Sequence, residues 1–148
     1  MNLLILAGTT EATVLAKNVA EAGIDAILSY AGRVQHVKTQ PIPKRIGGFG
    51  GVRGFCNFLQ DQSVTHVVDA THPFSVQISR NAVDACNHCQ IPLLAVHRPP
   101  WFAQERDYWI EVGNIKEAVK QLDRPRCNVM LALGRMHISE FAVHPQHH

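Results

Sequence analysis

At 148 residues the chain is long enough for one ordinary domain and too short for two large ones. Hydrophobic residues make up 46% of it, enough for a packed core and against disorder. The formal charge is +2, and Lys and Arg are scattered rather than gathered into the basic face that nucleic acid requires, while no apolar run approaches the roughly 18 residues needed to span a bilayer.

The first element in chain order is the apolar run Asn2 to Leu6, ended by Ala7-Gly8, which has the composition of a strand buried on both faces. No basic residues precede it as they would in a secretory signal peptide, so the expected location is the cytoplasm. From Glu11 the period changes. Ala12, Leu15, Val19 and Ala22 recur at spacings of three and four, one apolar helical face, and Gly23 is placed to end the helix. Asp25 to Tyr30 is a second strand, completing a β-α-β unit whose crossover is expected to be right-handed.

Gly32 to Pro43 is polar, carries two prolines and reads mainly as loop. Arg45-Ile46 suggests a short strand before the turn Gly47-Gly48-Phe49-Gly50-Gly51, and Val52, Phe55, Cys56 and Leu59 mark a second helix. Thr65 to Ala70 is the next strand. Pro73 suits the first position of a third helix, whose apolar face is Phe74, Ile78, Ala82, Ala85 and Cys89. Pro92 to Val96 is another buried strand. The expected fold is therefore α/β, a parallel sheet flanked by helices.

Arg98-Pro99-Pro100-Trp101 interrupts this rhythm and divides the chain into lobes 1–98 and 99–148. The second lobe restarts with a strand (Tyr108 to Val112), a helix (Ile115, Ala118, Val119, Leu122), a strand (Asn128 to Leu133) and a helical start (His137 to Ala142). A fragment of this size cannot cover both faces of a sheet, so the second lobe is expected to be incomplete.

Ligands of open parallel sheets bind beyond the carboxyl ends of the strands, and three polar clusters fall there. In Ala7-Gly8-Thr9-Thr10-Glu11-Ala12, Gly8 permits close backbone approach. The hydroxyls of Thr9 and Thr10 and the first helical N–H groups suit a phosphate, although either threonine would also cap the helix. The second strand ends in Ser29-Tyr30-Ala31-Gly32-Arg33. Dinucleotide folds that select NAD carry an acid near here, whereas this chain offers the Ser29 hydroxyl and the Arg33 guanidinium, which fit a 2′-phosphate and favour NADPH over NADH, with a solvated loop arginine as the plainer reading of Arg33. The third cluster is Asp69-Ala70-Thr71-His72-Pro73-Phe74. Its His72 is the candidate proton donor, histidine being the side chain suited to proton transfer, with a helix cap or a loop fastening as the plainer role, while Asp69 reads as an acceptor for loop N–H groups. In the glycine-rich turn, Gly48 and Gly50 are expected to bring backbone N–H groups to a ligand or to close over it, with a tight turn before a helix as the plainer reading; Phe49 either lies against an aromatic or macrocyclic ring or anchors the loop in the core. Cys56, Cys86, Cys89 and Cys127 read as core residues of a reducing compartment, and the CxxC spacing of Cys86 and Cys89 has no second half, so no metal is expected.

These motifs together resemble the precorrin-6A reductase family of cobalamin biosynthesis. The resemblance is carried by Gly8-Thr9-Thr10-Glu11-Ala12 with Leu15-Ala16, Gly32-Arg33-Val34, Gly47-Gly48-Phe49-Gly50-Gly51, Asp69 to Phe74, Arg98-Pro99-Pro100-Trp101 and Gly134-Arg135, in the family's order across nearly the whole chain. It implies NADPH-dependent reduction of one double bond of precorrin-6A to give precorrin-6B, and two Rossmann-like lobes with cofactor and tetrapyrrole between them. It further implies a phosphate-binding turn at Gly8, Thr9 and Thr10, and the adenosine end near Ser29 and Arg33. The nicotinamide and substrate would then lie near Thr71, His72 and Phe74, with Phe49 and Arg135 also toward the substrate. The partner implied is a small tetrapyrrole, with neither nucleic acid nor membrane, and oligomerisation is open. Family members are commonly about a hundred residues longer, so the chain reads as truncated at its C-terminus. The alternative expectation is a non-catalytic fragment that retains dinucleotide binding.

Overall fold

A computed structural model of the chain describes residues 1–32, 39–99, 101–133, 137–143 and 147. The chain divides into two units, Met1–Pro99 and Pro100–His148. The first unit holds strands β1 (Asn2–Ala7), β2 (Asp25–Tyr30), β3 (Lys44–Ile46), β4 (His66–Asp69) and β5 (Leu93–Ala95). Its helices are α1 (Thr10–Glu21), α2 (Gly51–Asp61) and α3 (Val76–Cys89). The five strands form one parallel sheet in the order β3-β2-β1-β4-β5.

The continuous apolar run of β1 follows from its central position. Leu3, Ile5 and Ala7 face one core with Ala12, Ala16 and Val19 of α1, and Leu4 and Leu6 face the other with Phe55 and Leu59 of α2 and Ala82 and Ala85 of α3. A strand covered on both sides has no use for alternation. The same two-sidedness places Ala26, Leu28 and Tyr30 of β2 in the α1 core and turns Ser29 toward the α2 side.

Gly23 ends α1 at φ +64°, a left-handed conformation in which a side chain would be strained. The start of α3 differs from the expectation. The helix begins at Val76 after Ser75, so Pro73 is not its first residue and Phe74 is not on its apolar face. His72 to Ser75 instead form a β-turn closed by the Ser75 N–H donating to the His72 carbonyl at 2.7 Å. Pro73 takes the second position of that turn, where its fixed φ is favourable, and Phe74 is left 86% exposed.

The second unit contains α4 (Ile115–Gln121) and α5 (Ile138–Ala142). Asn114 caps α4 by accepting from the Glu117 N–H at 3.0 Å, and Glu117 reaches back to the Gly113 N–H at 2.8 Å, a reciprocal capping arrangement. His147 is tied into this unit: the Cys127 N–H donates to its Nδ1 at 3.2 Å, and its Nε2 bonds to the Leu122 carbonyl. The expected strands at 108–112 and 128–133 are not formed. A strand exists through a neighbouring ladder, none pairs with these segments among the described residues, and Tyr108 and Met130 are each 89% exposed.

Candidate functional site

All five strands end at one rim. Ala7 is in register with Tyr30, Tyr30 with Ile46, Leu6 with Asp69, and Asp69 with Ala95. Every turn singled out in the described part of the first unit therefore leaves the sheet on the same side.

One cluster joins the ends of β1 and β4. Thr9 is the N-cap of α1, with its hydroxyl accepting from the Ala12 N–H at 3.3 Å and donating to the Ala70 carbonyl at 2.8 Å. It welds the first turn to the chain leaving β4. Gly8 lies against that chain: a Cβ there would stand 3.7 Å from the His72 nitrogen and 3.9 Å from the Thr71 Cα. Thr10 is the first residue of α1, so its N–H is one of the donors that a helix start leaves without an intrahelical acceptor. The turn after β4 is organised by Asp69, 7% exposed. Its Oδ1 accepts from the Thr71 N–H at 3.0 Å and the Thr71 hydroxyl at 2.7 Å, and that hydroxyl lies 3.3 Å from Ser79 Oγ. The His72 Nδ1 accepts from the Phe74 N–H at 3.2 Å, and the two rings meet edge to face at 4.9 Å. In the neutral ring this leaves the proton on Nε2, which can then donate a hydrogen bond. Beside these residues, between α3 and β5, lies a cavity of about 470 Å³ lined by Thr71, His72, Val76, Arg80 and His97 among others.

The second cluster joins the ends of β2 and β3, and its organiser is a residue that sequence reading passed over. Arg45 donates to Ser29 Oγ at 2.7 Å, to the Gly47 carbonyl at 3.0 Å and to the Gly48 carbonyl at 3.1 Å. Its guanidinium also lies over the rings of Phe49 and Phe58, 4.2 and 4.9 Å from their centroids. Burial pulls its pKa below the usual arginine value, and the fork of bonds accounts for its being held there as a cation. Nothing local marks this arginine; its partner is set by the register that puts Ser29 beside Arg45. Gly32 and Gly47 come close, since a Cβ on Gly32 would stand 3.5 Å from the Gly47 Cα.

The candidate residues thus divide. Gly8, Thr9, Thr10, Thr71 and His72 are brought together. Ser29 is at the same rim but its hydroxyl is bonded to Arg45. Phe49 stacks on Phe55 at 4.1 Å and meets Phe58 edge-on, so of its two readings the geometry is that of a loop anchor. Gly48 and Gly50 have open space around them, and Gly50 adopts φ +79° ahead of α2. Phe74 stands in solvent beside His72. Arg33 and Arg135 lie outside the described residues. Arg98, also not assigned a role from sequence, follows β5 and pairs with Glu11 at the start of α1, its Nε 2.6 Å from Oε1 and its Nη2 3.0 Å from Oε2. The cysteines Cys56 and Cys86 are buried free thiols, and burial pushes Cys86 up to about 11, away from thiolate chemistry.

Residues 2–148 match the family described as precorrin-6x reductase CbiJ/CobK. The precorrin-6A reductase of Rhodobacter capsulatus is 49% identical over 146 residues, which cover 99% of this chain and 58% of that protein. The precorrin-6A reductase of a Sinorhizobium species is 44% identical over 146 residues, covering 98% of this chain and 56% of its own length. A solved structure of CobK precorrin-6A reductase superposes with a TM-score of 0.92 at 48% identity, covering 100% of this chain and 59% of that one. The chain therefore spans just under three fifths of the length of the relatives it matches.

Proposed function

The chain belongs to the precorrin-6x reductase family, and from that premise we propose that it serves the reduction of precorrin-6A to precorrin-6B in cytoplasmic cobalamin biosynthesis, with NADPH as the reductant. The observation that carries this reading is the convergence of Gly8, Thr9, Thr10, Thr71 and His72 at the carboxyl ends of β1 and β4. The rim fits a dinucleotide: Gly8 packs its backbone closely on the chain at Thr71 and His72, the Thr10 N–H at the helix start has no intrahelical acceptor, and the described residues leave open space around Gly48 and Gly50. Bound NADPH supplies the hydride. Gly8 and Thr10 would hold the phosphates, Thr71 is fastened by Asp69 beside them, and His72, once protonated to the imidazolium, would deliver its Nε2 proton to the substrate carbon next to the one that receives the hydride. Phe74, exposed beside His72, is the substrate-side residue of this reading. The choice of NADPH over NADH rests on the sequence around Ser29 and Arg33, where a guanidinium stands in place of the acid that would bond a ribose 2′-hydroxyl.

The test is absorbance at the reduced nicotinamide band with authentic precorrin-6A. Oxidation of NADPH that requires the substrate supports the reading. A constant signal overturns it for this chain, and binding of NADPH without turnover reduces it to dinucleotide binding alone. His72→Ala should leave NADPH binding intact and lower turnover by a factor on the order of 10² to 10⁴. Arg33→Ala should weaken NADPH and leave NADH little changed; equal losses refute the 2′-phosphate role.

A further inference from the structure

Glu11 and Arg98 are separated by 87 positions, yet they meet at the threshold of α1. Glu11 is the acidic residue of that helix's first turn. A carboxylate there faces the same partial positive charge that would attract a phosphate, and it repels one. Arg98 engages both carboxylate oxygens, with Nε on Oε1 at 2.6 Å and Nη2 on Oε2 at 3.0 Å, and Nη2 also approaches the Thr10 hydroxyl at 3.4 Å. The geometry is a forked, charge-assisted pair rather than a passing surface contact.

We propose that Arg98 is a positioning residue for the dinucleotide, acting through Glu11: by neutralising that carboxylate it leaves the Gly8-Thr9-Thr10 turn able to accept an anion. This rests on the dinucleotide reading of the turn given above. The pair adds little to folding stability. The Arg98 and Glu11 side chains are 57% and 37% exposed, and exposed pairs contribute little to folding. What the pair does change is the charge at the helix start, from a free carboxylate to a compensated one. In support, Arg98 holds the Glu11 carboxyl far below the usual range, at about 2, so the group that must be masked is ionised at any working pH.

The experiment is a calorimetric titration of the 148-residue chain with NADPH, comparing wild type, Arg98→Ala, Glu11→Gln and the double variant. Arg98→Ala should bind roughly tenfold more weakly, a deficit that narrows as salt is raised because the exposed carboxylate becomes screened. Glu11→Gln should remain within about twofold of wild type, and the double variant should return to within about threefold of it, since removing the charge removes the need to mask it. Arg98→Lys should also bind within about threefold of wild type, because a point charge suffices for neutralisation. Wild-type affinity in Arg98→Ala would overturn the proposal. So would a double variant as weak as Arg98→Ala, which would make Arg98 a direct ligand or a loop fastening. Loss of NADPH binding in the wild type itself would instead overturn the dinucleotide reading, and this proposal with it.

Discussion

Two arginines shape the rim of the sheet, and each is defined by what it holds. Glu11 has its carboxyl pKa drawn from the ordinary 4.5 to about 2, first by the Arg98 bond and then by its own backbone N–H. A folded-state pKa below the unfolded one gives a contribution to stability, small for a pair this exposed, that is present above pH 4.5 and is lost as the pH falls toward 2. The carboxyl carbon signal of Glu11 in an NMR titration should report a midpoint near 2, and in Arg98→Ala it should move back toward 4.5; an unmoved midpoint would refute the pairing. Arg45 is more enclosed, and its loss would strand the Ser29 hydroxyl and the Gly47 and Gly48 carbonyls together. Arg45→Ala should therefore cost about 1–3 kcal/mol in urea denaturation, and Arg45→Lys should recover less than half, because an ammonium cannot reproduce the fork or the stacking on Phe49.

At the scale of elements, α2 is the informative case. It starts from two glycines in left-handed conformation, Gly50 at φ +79° and Gly51 at φ +81°, with no side-chain cap. Three residues on, Gly54 is packed so tightly that a Cβ would fall 1.8 Å from the Phe49 carbonyl oxygen. An alanine in a helix ordinarily gains about 1 kcal/mol over glycine. Here the clash is with backbone, which has no rotamer to yield, and overpacking costs about 1–3 kcal/mol or more. The clash outweighs the propensity, so Gly54→Ala should lower the thermal midpoint, and a raised midpoint would count against the packing described. The β-turn from His72 to Ser75 teaches a related point: proline is suited both to a helix start and to the second position of a turn, and only the bonds around it decide which.

At the scale of the molecule, the whole parallel sheet and every described rim residue lie in the first unit. A chain ending at Pro99 should unfold cooperatively and bind NADPH with affinity within about threefold of the 148-residue chain. A truncated chain that is unfolded by circular dichroism, or that fails to bind when the longer chain does, would show that the second unit is needed for the first. No helix among the described residues is long and apolar enough to cross a membrane. Family membership rests on a match from residue 2 to residue 148, while the activity of proteins of which this chain spans just under three fifths is the proposal made above.

Much of the architecture was legible because it is written in local periods. The bounds of β2, the Ala12 and Val19 positions of the α1 face and the left-handed Gly23 follow from residues close in the chain, whereas Ala22, expected on that face, is the exposed C-cap and Ala16 is buried in its stead. So does the gathering of Gly8, Thr9, Thr10, Thr71 and His72, because parallel strands joined by helices must all end at one rim. What tertiary structure decided was every feature that depends on a distant partner. Arg45 is a fastening because the register puts it beside Ser29, and Arg98 meets Glu11 because the chain leaving β5 runs to the start of α1. The segments 108–112 and 128–133 are apolar enough for strands yet are not strands, since a strand's hydrogen bonds are made with a neighbour. Local pattern selects a conformation, whereas charge pairs, registers and ladders are properties of two places in the chain at once.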